Sequence, residues 1–416
     1  MGLTSSDLMK AWSELVASHS AFKGRALTIL FFVAGSLWIG IGASSVVAER
    51  PAIAATRTNV DDESQFEKSS SAVWKTFRGT WTSTGATQAS LPEKLELLWT
   101  FKVEKGAFEA SAAIERDRVF VADLDGEVFA LDLKTGKKLW EYATESGFIA
   151  SPTLYDKKVL IGDYDGRFYC LDADTGKALW VFETNLEIDA AASVYEGKIL
   201  VGSQDATLYC LDAESGKVVW QHEIADQIRC TPTIADHRVF VAGCDGYLHI
   251  IDLRSGEETG KVEIGGPTGV TPAVAGTDLF LGTEDGRFLS IDLKTAKANW
   301  VYEQPRAMGI RSCPALFGNS VIFGTRGKQV ISLKRDDGSE QWTFTAKRYV
   351  DSSPIVVGKR VFVGSTDGRL YGLNAETGDK EWEFEAGVEI NSSPAVVDGY
   401  LVIADARGTV YCFGKK

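Results

Sequence analysis

Basic charge is in short supply in this chain. Lysine and arginine total 44 against 57 aspartates and glutamates, giving a net charge of −13 at pH 7. Nucleic acid and anionic lipid headgroups are bound through clustered positive charge, so neither is expected as a partner of a general surface. Histidine is scarcer still. His19, His222, His237 and His249 are scattered, and no two stand at metal-ligand spacing. No Ser-His-Asp order and no nucleophile elbow suggests hydrolysis. Asp123-x-Asp125-Gly126 and Asp163-x-Asp165-Gly166 look like the start of a calcium loop, but the downstream glutamate is missing, and hairpin turns explain them better. No metal site and no catalytic residue is expected.

Long apolar runs are limited to one. Residues 26–48 carry no charge and follow Lys23 and Arg25. At about 1.5 Å per residue such a stretch spans a bilayer as a helix, with the basic residues left on the cytoplasmic side. Val46-Val47-Ala48 is also an acceptable signal-peptide cleavage site. Both fates, a retained inner-membrane anchor or a cleaved leader, place the rest of the chain outside the cytoplasm, in the periplasm. The expected organisation is a cytoplasmic or signal region at 1–25, the anchor or signal at 26–48, a linker at 49–96 and one folded domain at 97–416. Trp74 to Trp81, within the linker, is expected to pack against the side of that domain.

What the chain has in quantity is a repeat. Leu131-Asp132 through Thr135-Gly136 to Trp140 returns at Leu171, Leu211, Ile251, Ile291, Leu333, Leu373 and Phe413, spaced 40 to 42 residues apart. Four short strands fit each unit, which is the length of one propeller blade. Asp-Gly pairs at 125, 165, 245, 285 and 367 supply the positive φ of two-residue hairpins. The last unit stops at Tyr411-Cys412-Phe413 without an outer strand, whereas Leu97 to Phe101 is an outer strand without the other three. Pairing the two ends closes an all-β, eight-bladed, monomeric propeller of four-stranded antiparallel blades, preceded by the N-terminal apolar helix. Its docking residues are Trp99, Trp140, Trp180, Trp220, Trp300, Trp342 and Trp382; Gly260 takes the eighth place, and its outer strand is expected to be looser. Cys170, Cys210 and Cys412 share one third-strand position with Ala130, Ser290, Ser332 and Gly372, the profile of a small packed residue and not of a disulfide.

Inner strands begin at Ser-Pro or Thr-Pro, as at Ser151-Pro152 and Ser393-Pro394, and the residue two places earlier varies while its surroundings repeat. Glu109, Asp189, Arg229, Arg311, Asp351 and Asn391 hold that place, with Tyr349 and Glu389 two further back. They should gather at one mouth of the channel. There they would serve either as binding residues or as solvated loop residues whose opposite charges pair.

The run Ala-x-Asp-x-x-Thr-Gly-x-x-x-Trp, intact at Ala130 to Trp140, resembles the tryptophan-docking repeat of the pyrroloquinoline-quinone (PQQ) type propellers across residues 97–416. Phe77-Arg78-Gly79 also looks like the lead-in of exported PQQ-repeat proteins. The resemblance implies two classes. Quinoprotein dehydrogenases hold PQQ and calcium in the channel with an aspartate base, a role open to Asp189 or Asp351; alcohol-oxidising members add a disulfide of adjacent cysteines. This chain has no such pair and is much shorter. The other class is the binding scaffold typified by BamB, similar in size, blade number and export, although no cysteine for lipidation precedes Cys170. The expectation is a non-catalytic platform for an envelope protein or extended peptide, without cofactor. A PQQ-dependent dehydrogenase and a membrane-anchored ligand sensor are the alternatives.

Overall fold

The computed structural model describes residues 71–416. The anchor or signal helix expected at 26–48 lies outside the described residues. Among the described residues no helix is long and apolar enough to cross a membrane. The strands form eight antiparallel four-stranded blades, and two short N-terminal strands add to two of them. Blades 1 to 7 occupy 113–143, 153–183, 193–223, 233–263, 273–303, 315–345 and 355–385. Blade 8 combines 395–414 with Glu96–Lys102, which pairs antiparallel to Thr409–Gly414 and closes the ring. In blade 7 the order from the channel outward is Ile355–Val357, Arg360–Ser365, Arg369–Asn374 and Lys380–Glu385. The two middle strands are buried on both faces, while the outer strand alternates exposed and half-buried residues.

Blades are joined by an indole laid on a bare glycine. At six junctions the turn before the following blade's outer strand, Thr/Ser-Gly in five and Asp337-Gly338 in the sixth, holds its glycine at positive φ, between 68° and 76° at Gly136, Gly176, Gly216, Gly256, Gly338 and Gly378. A methyl added to any of the six would stand 2.5–2.7 Å from the ring of Trp99, Trp140, Trp180, Trp220, Trp300 or Trp342. The aspartate opening the turn accepts from the backbone N–H and hydroxyl of the Thr or Ser, as Asp132 does from Thr135 at 2.8 and 2.6 Å. Most of the indoles then donate to a carbonyl of the same turn region, Trp99 to Leu133 at 2.8 Å and Trp342 to Ala375 at 3.1 Å. Each tryptophan also sits in register beside one small residue of its own blade. Cys170 faces Trp180, Cys210 faces Trp220 and Cys412 faces Trp99, just as Ala130 faces Trp140. The thiols therefore fill a steric role in separate blades.

Blade 4 breaks all three rules together. Gly260 replaces the tryptophan, Ile250 replaces its small neighbour, and Ala296 replaces the receiving glycine while keeping φ at 53°. Ile250 Cδ1 would lie 3.8 Å from a methyl at Gly260, so it covers the ground the indole leaves free. Arg238 donates to the Leu293 carbonyl at 3.0 Å in the place of an indole N–H. The strand Glu258–Glu263 keeps the same register as its counterparts.

Around the channel, a chain of side-chain acceptors passes from blade to blade. Ser111 N–H donates to Ser151 Oγ at 2.9 Å, Cys313 N–H to Ser353 Oγ at 2.9 Å, Ser353 N–H to Ser393 Oγ at 2.9 Å and Ser393 N–H to Ser111 Oγ at 3.0 Å. Thr231 and Thr271 continue it toward the Cys313 sulfur. Residues 71–87 run across the opposite end of the inner strands, and not along the propeller's side. Val73–Trp74 pairs with blade 1. Carbonyls of Lys75, Trp81, Thr82, Thr84 and Gly85 accept from Leu154, Ile234, Val274, Leu316 and Val356 at 2.7–2.9 Å, one blade after another. Arg78 is buried at the centre and donates to the carbonyls of Pro314 at 2.9 Å and Pro354 at 2.5 Å. Desolvation lowers its pKa to about 10, so the guanidinium stays charged at neutral pH. The segment closes this end of the channel.

Trp180→Ala is expected to cost about 3 kcal/mol, near the low end for a truncated aromatic because the indole is only half-buried. Gly216→Ala, which forces alanine into positive φ against the same ring, should cost about 2–3 kcal/mol. In urea unfolding the double variant should lose less than the sum, since both changes remove one contact; strict additivity would separate glycine from indole.

Candidate functional site at the open channel mouth

The end opposite the sealing segment is open. Glu109, Asp189, Arg229, Arg311, Asp351 and Asn391 line one cavity of about 170 Å³ together with the Ser and Thr residues of the inner ring, and Phe77 also lines it. Tyr349 and Glu389 line an adjoining groove of about 510 Å³ that shares Asp351 and Asn391. All eight residues singled out from the repeat are thus brought to one continuous surface. The reason is geometric: each stands on the loop entering an inner strand, and eightfold repetition turns equal sequence positions into a circle.

A second circle lies beside the first and escaped the sequence reading. In most blades the second residue after the second strand, as with Tyr164, Gln204, Glu284 and Arg326, donates its backbone N–H to the loop before the inner strand of its own blade. These positions vary as much as the first set within an otherwise regular repeat, and that variation was the available signal. Their side chains supply the partners. Glu284 stands between Arg311 at 3.4 Å and Arg229 at 4.0 Å. Arg229 also approaches Asp189 at 3.6 Å, and Gln204 donates to Asp189 at 2.6 Å. Arg326 clamps Asp351 through Nε at 3.2 Å to each carboxylate oxygen and Nη2 at 2.8 Å to one of them. Arg348 pairs with Glu389 at 3.3 Å.

These pairs do not satisfy every group. Asp189 Oδ1 and Asn391 Oδ1 are buried without a hydrogen-bond partner. Burial pushes the Asp189 carboxyl up even though Arg229 and Gln204 pull it down. Around them the loops expose large apolar groups: Tyr164 at 39%, Leu186 at 47% and Tyr349 at 44%. Tyr349 lies under the Arg326 guanidinium, 5.7 Å from ring centre to Cζ. Desolvation raises the Tyr164 hydroxyl pKa, and the charges of Glu109, Asp189 and Glu187 raise it further, so it is a neutral donor at physiological pH.

Eight blades docked by tryptophan on a PQQ-like repeat, closed by the N-terminal strand, define the class of this protein. The chain matches the family described as outer membrane protein assembly factor BamB over residues 92–302 and 301–415, and it belongs to that family. No curated protein matches it in sequence. Among solved structures, BamB from Moraxella catarrhalis superposes with a TM-score of 0.68 at 23% identity, covering 78% of this chain and 98% of that one. Quinohemoprotein alcohol dehydrogenase from Comamonas testosteroni gives 0.72 at 15% identity, covering 85% and 82%. The computationally designed Ika8 protein gives 0.69 at 18%, covering 77% and 100%. At these identities the structural likenesses establish the fold alone.

Below the mouth, one carboxylate stands apart. In blades 2 and 8 the aspartate ending the second strand takes a tyrosine hydroxyl, Tyr169 on Asp163 at 2.8 Å and Tyr411 on Asp405 at 2.7 Å. Blade 1 has Phe129 at that tyrosine position, and Asp123 Oδ2 is buried without a partner. Its Oδ1 accepts from the backbone of Asp125 and Glu127 at 3.1 and 2.9 Å. Desolvation nevertheless pushes the Asp123 pKa up to about 6. The folded state therefore holds this proton more tightly than the unfolded chain between about pH 4 and 6, and stability falls as pH rises through that window. Phe129→Tyr should recover about 1–2 kcal/mol at pH 8 by donating to Oδ2, with a smaller gain at pH 4.5. Thermal melts of the two proteins at both pH values check this; an equal shift at each would detach the effect from Asp123.

Proposed function

We propose that this protein is a non-catalytic scaffold of the cell envelope whose open mouth binds another protein or an extended peptide. The observation that carries the reading is the composition of the mouth. Arginines and tyrosines stand together there, with Arg229, Arg311, Arg326 and Arg348 among Tyr164 and Tyr349. Tyrosine and arginine are the residue types that concentrate binding energy at protein interfaces. Asp189 Oδ1 and Asn391 Oδ1 offer unused acceptors for a partner's N–H groups. Membership in the BamB family supports the same reading, because the family's description concerns assembly of outer-membrane proteins. That kinship and the uncharged apolar sequence at 26–48 support placement outside the cytoplasm.

A quinone cofactor is not part of this proposal. The channel cavity of about 170 Å³ is small beside the ~300 Å³ at which small-molecule pockets begin. Both channel aspartates are already engaged, Asp351 by Arg326 and Asp189 by Gln204 and Arg229. An aspartate held by a bidentate guanidinium is poorly suited to act as a base. These features weigh against PQQ and a metal ion in the channel.

The test is affinity capture from the native cell envelope with the full chain, comparing wild type with an Arg311→Glu/Tyr349→Ala variant. Both positions are exposed, so the melting temperature should stay within about 2 °C of wild type. Partners retained by wild type and lost from the variant are the expected result. An identical partner set would remove the mouth as the binding face, and dye-linked oxidation by protein supplied with PQQ and calcium would replace the scaffold with an enzyme.

A further inference from the structure

The junction of blades 3 and 4 departs from the rest of the ring. At five other junctions an aromatic on one outer strand meets an aromatic on the next blade's third strand, among them Phe101 and Phe129 at 5.2 Å between ring centres, Phe182 and Tyr209 at 5.1 Å, Phe344 and Tyr371 at 5.0 Å and Phe384 and Tyr411 at 5.1 Å. At this junction both aromatics are replaced by imidazoles. His222 on the outer strand of blade 3 faces His249 on the third strand of blade 4, with ring centres 6.3 Å apart.

A carboxylate joins them. Glu258, the first residue of blade 4's outer strand, brings Oε2 to 2.6 Å from His249 Nδ1 and 3.8 Å from His222 Nε2. One ligand atom from each of the three residues lies within 4.8 Å of the other two. On the far side of the same ring, Asp245 Oδ2 lies 2.9 Å from His249 Nε2. Asp245 is itself fixed, since its Oδ1 accepts from the Tyr247 backbone N–H at 3.1 Å. The side chains of His249 and Asp245 are only 4% and 6% exposed, whereas Glu258 is 31% exposed and His222 17%.

A buried imidazole with a carboxylate on each nitrogen needs positive charge placed between these groups. Two imidazoles and a carboxylate converge on the Nδ1 side alone, and this donor set suits zinc-like ions. We propose that His222 Nε2, His249 Nδ1 and the Glu258 carboxylate hold a divalent transition-metal ion that staples blade 3 to blade 4. Asp245 accepts the His249 Nε2 proton and so leaves Nδ1 free to coordinate, the usual second partner of a metal-bound histidine. Neighbouring ligand atoms of a tetrahedral zinc ion stand roughly 3.3 Å apart, and the separations of 2.6 and 3.8 Å from Glu258 bracket that value. The exposed side of Glu258 provides the path of entry and leaves the fourth position to water.

The staple also has work to do at this junction. Trp220, on the same outer strand as His222, docks on Gly256, yet its Nε1 has no acceptor, unlike the indoles of Trp99, Trp140, Trp180, Trp300 and Trp342. Blades 3 and 4 therefore lack both the ring pair and the indole hydrogen bond that join most other neighbours.

The full chain, stripped of metal with a chelator, would be titrated with zinc chloride by calorimetry and melted with and without the ion. The companions are His222→Phe, which installs the residue type found at Phe182 and Phe344, and Glu258→Gln, which keeps the side chain's shape. One zinc ion per wild-type chain is expected, with a zinc-dependent rise in melting temperature. Affinity should fall at least tenfold in each variant, and the melting shift should shrink accordingly. Absence of saturable one-to-one binding by wild type, or equal affinity in wild type and both variants, overturns the proposal. A folding defect in either variant would show in the metal-free melt and is thereby separable from loss of the site.

Discussion

The contact on which the ring depends is the indole of one blade lying on the glycine of the next. A blade cannot bury its own faces, and stacking requires that neighbouring sheets approach at a fixed distance and register. An indole pressed to within 2.5–2.7 Å of a would-be Cβ permits no side chain beneath it, so the receiving residue is glycine. The same ring crowds its cross-strand neighbour, so that neighbour is alanine, serine, cysteine or glycine. Three positions of the repeat, the glycine contributed by the following blade, thus answer to one packing constraint. Blade 4 makes the dependence visible, because Gly260, Ile250 and Ala296 change as a set and the strand pairing survives.

With the blades fixed, the two ends of the channel take different roles. One is bound to residues 71–87, whose carbonyls take N–H groups that the inner strands would otherwise leave unpaired along their channel-facing edges. The buried Arg78 donates from Nη2 to two proline carbonyls, while its Nε and Nη1 are buried without a partner. The other end carries the positions where the repeat stops repeating. Opposite charges do pair across it, as Arg229 does with Asp189, but much of the pairing runs to the second circle of residues, Glu284 and Arg326. Pairing of this kind holds the loops in place and leaves tyrosines exposed above buried, unpartnered oxygens, so a solvated rim and a binding surface are not opposed descriptions of it.

Departures from the repeat carry more functional information here than the repeat itself. Where the pattern holds, each residue is explained by stacking. Where it fails at one loop position in every blade, the result is a varied rim. Where it fails between blades 3 and 4, an aromatic pair becomes a pair of imidazoles, His249 with a carboxylate on either side. The remaining departure, Phe129 in place of tyrosine, leaves Asp123 with an unmatched oxygen and has no evident compensation.

The sequence by itself determined the blade count, the four short strands of each unit, the docking tryptophans, the closure by residues near Trp99 and the gathering of Asp189, Arg229, Arg311 and Asp351. Each of these follows from local periodicity, because a closed ring converts an equal position in the repeat into an equal place in space. Tertiary structure alone decided which groups meet across blades. Phe77 and Arg78 lie across the inner strands because carbonyls from one short segment find N–H groups on blade after blade, a match no local pattern displays. His222 and His249 sit on different strands of different blades with no ligand spacing between them, and only stacking brings their rings together. Contacts within a blade are written in the period of the chain; contacts between blades depend on the distance at which an indole sets two sheets apart.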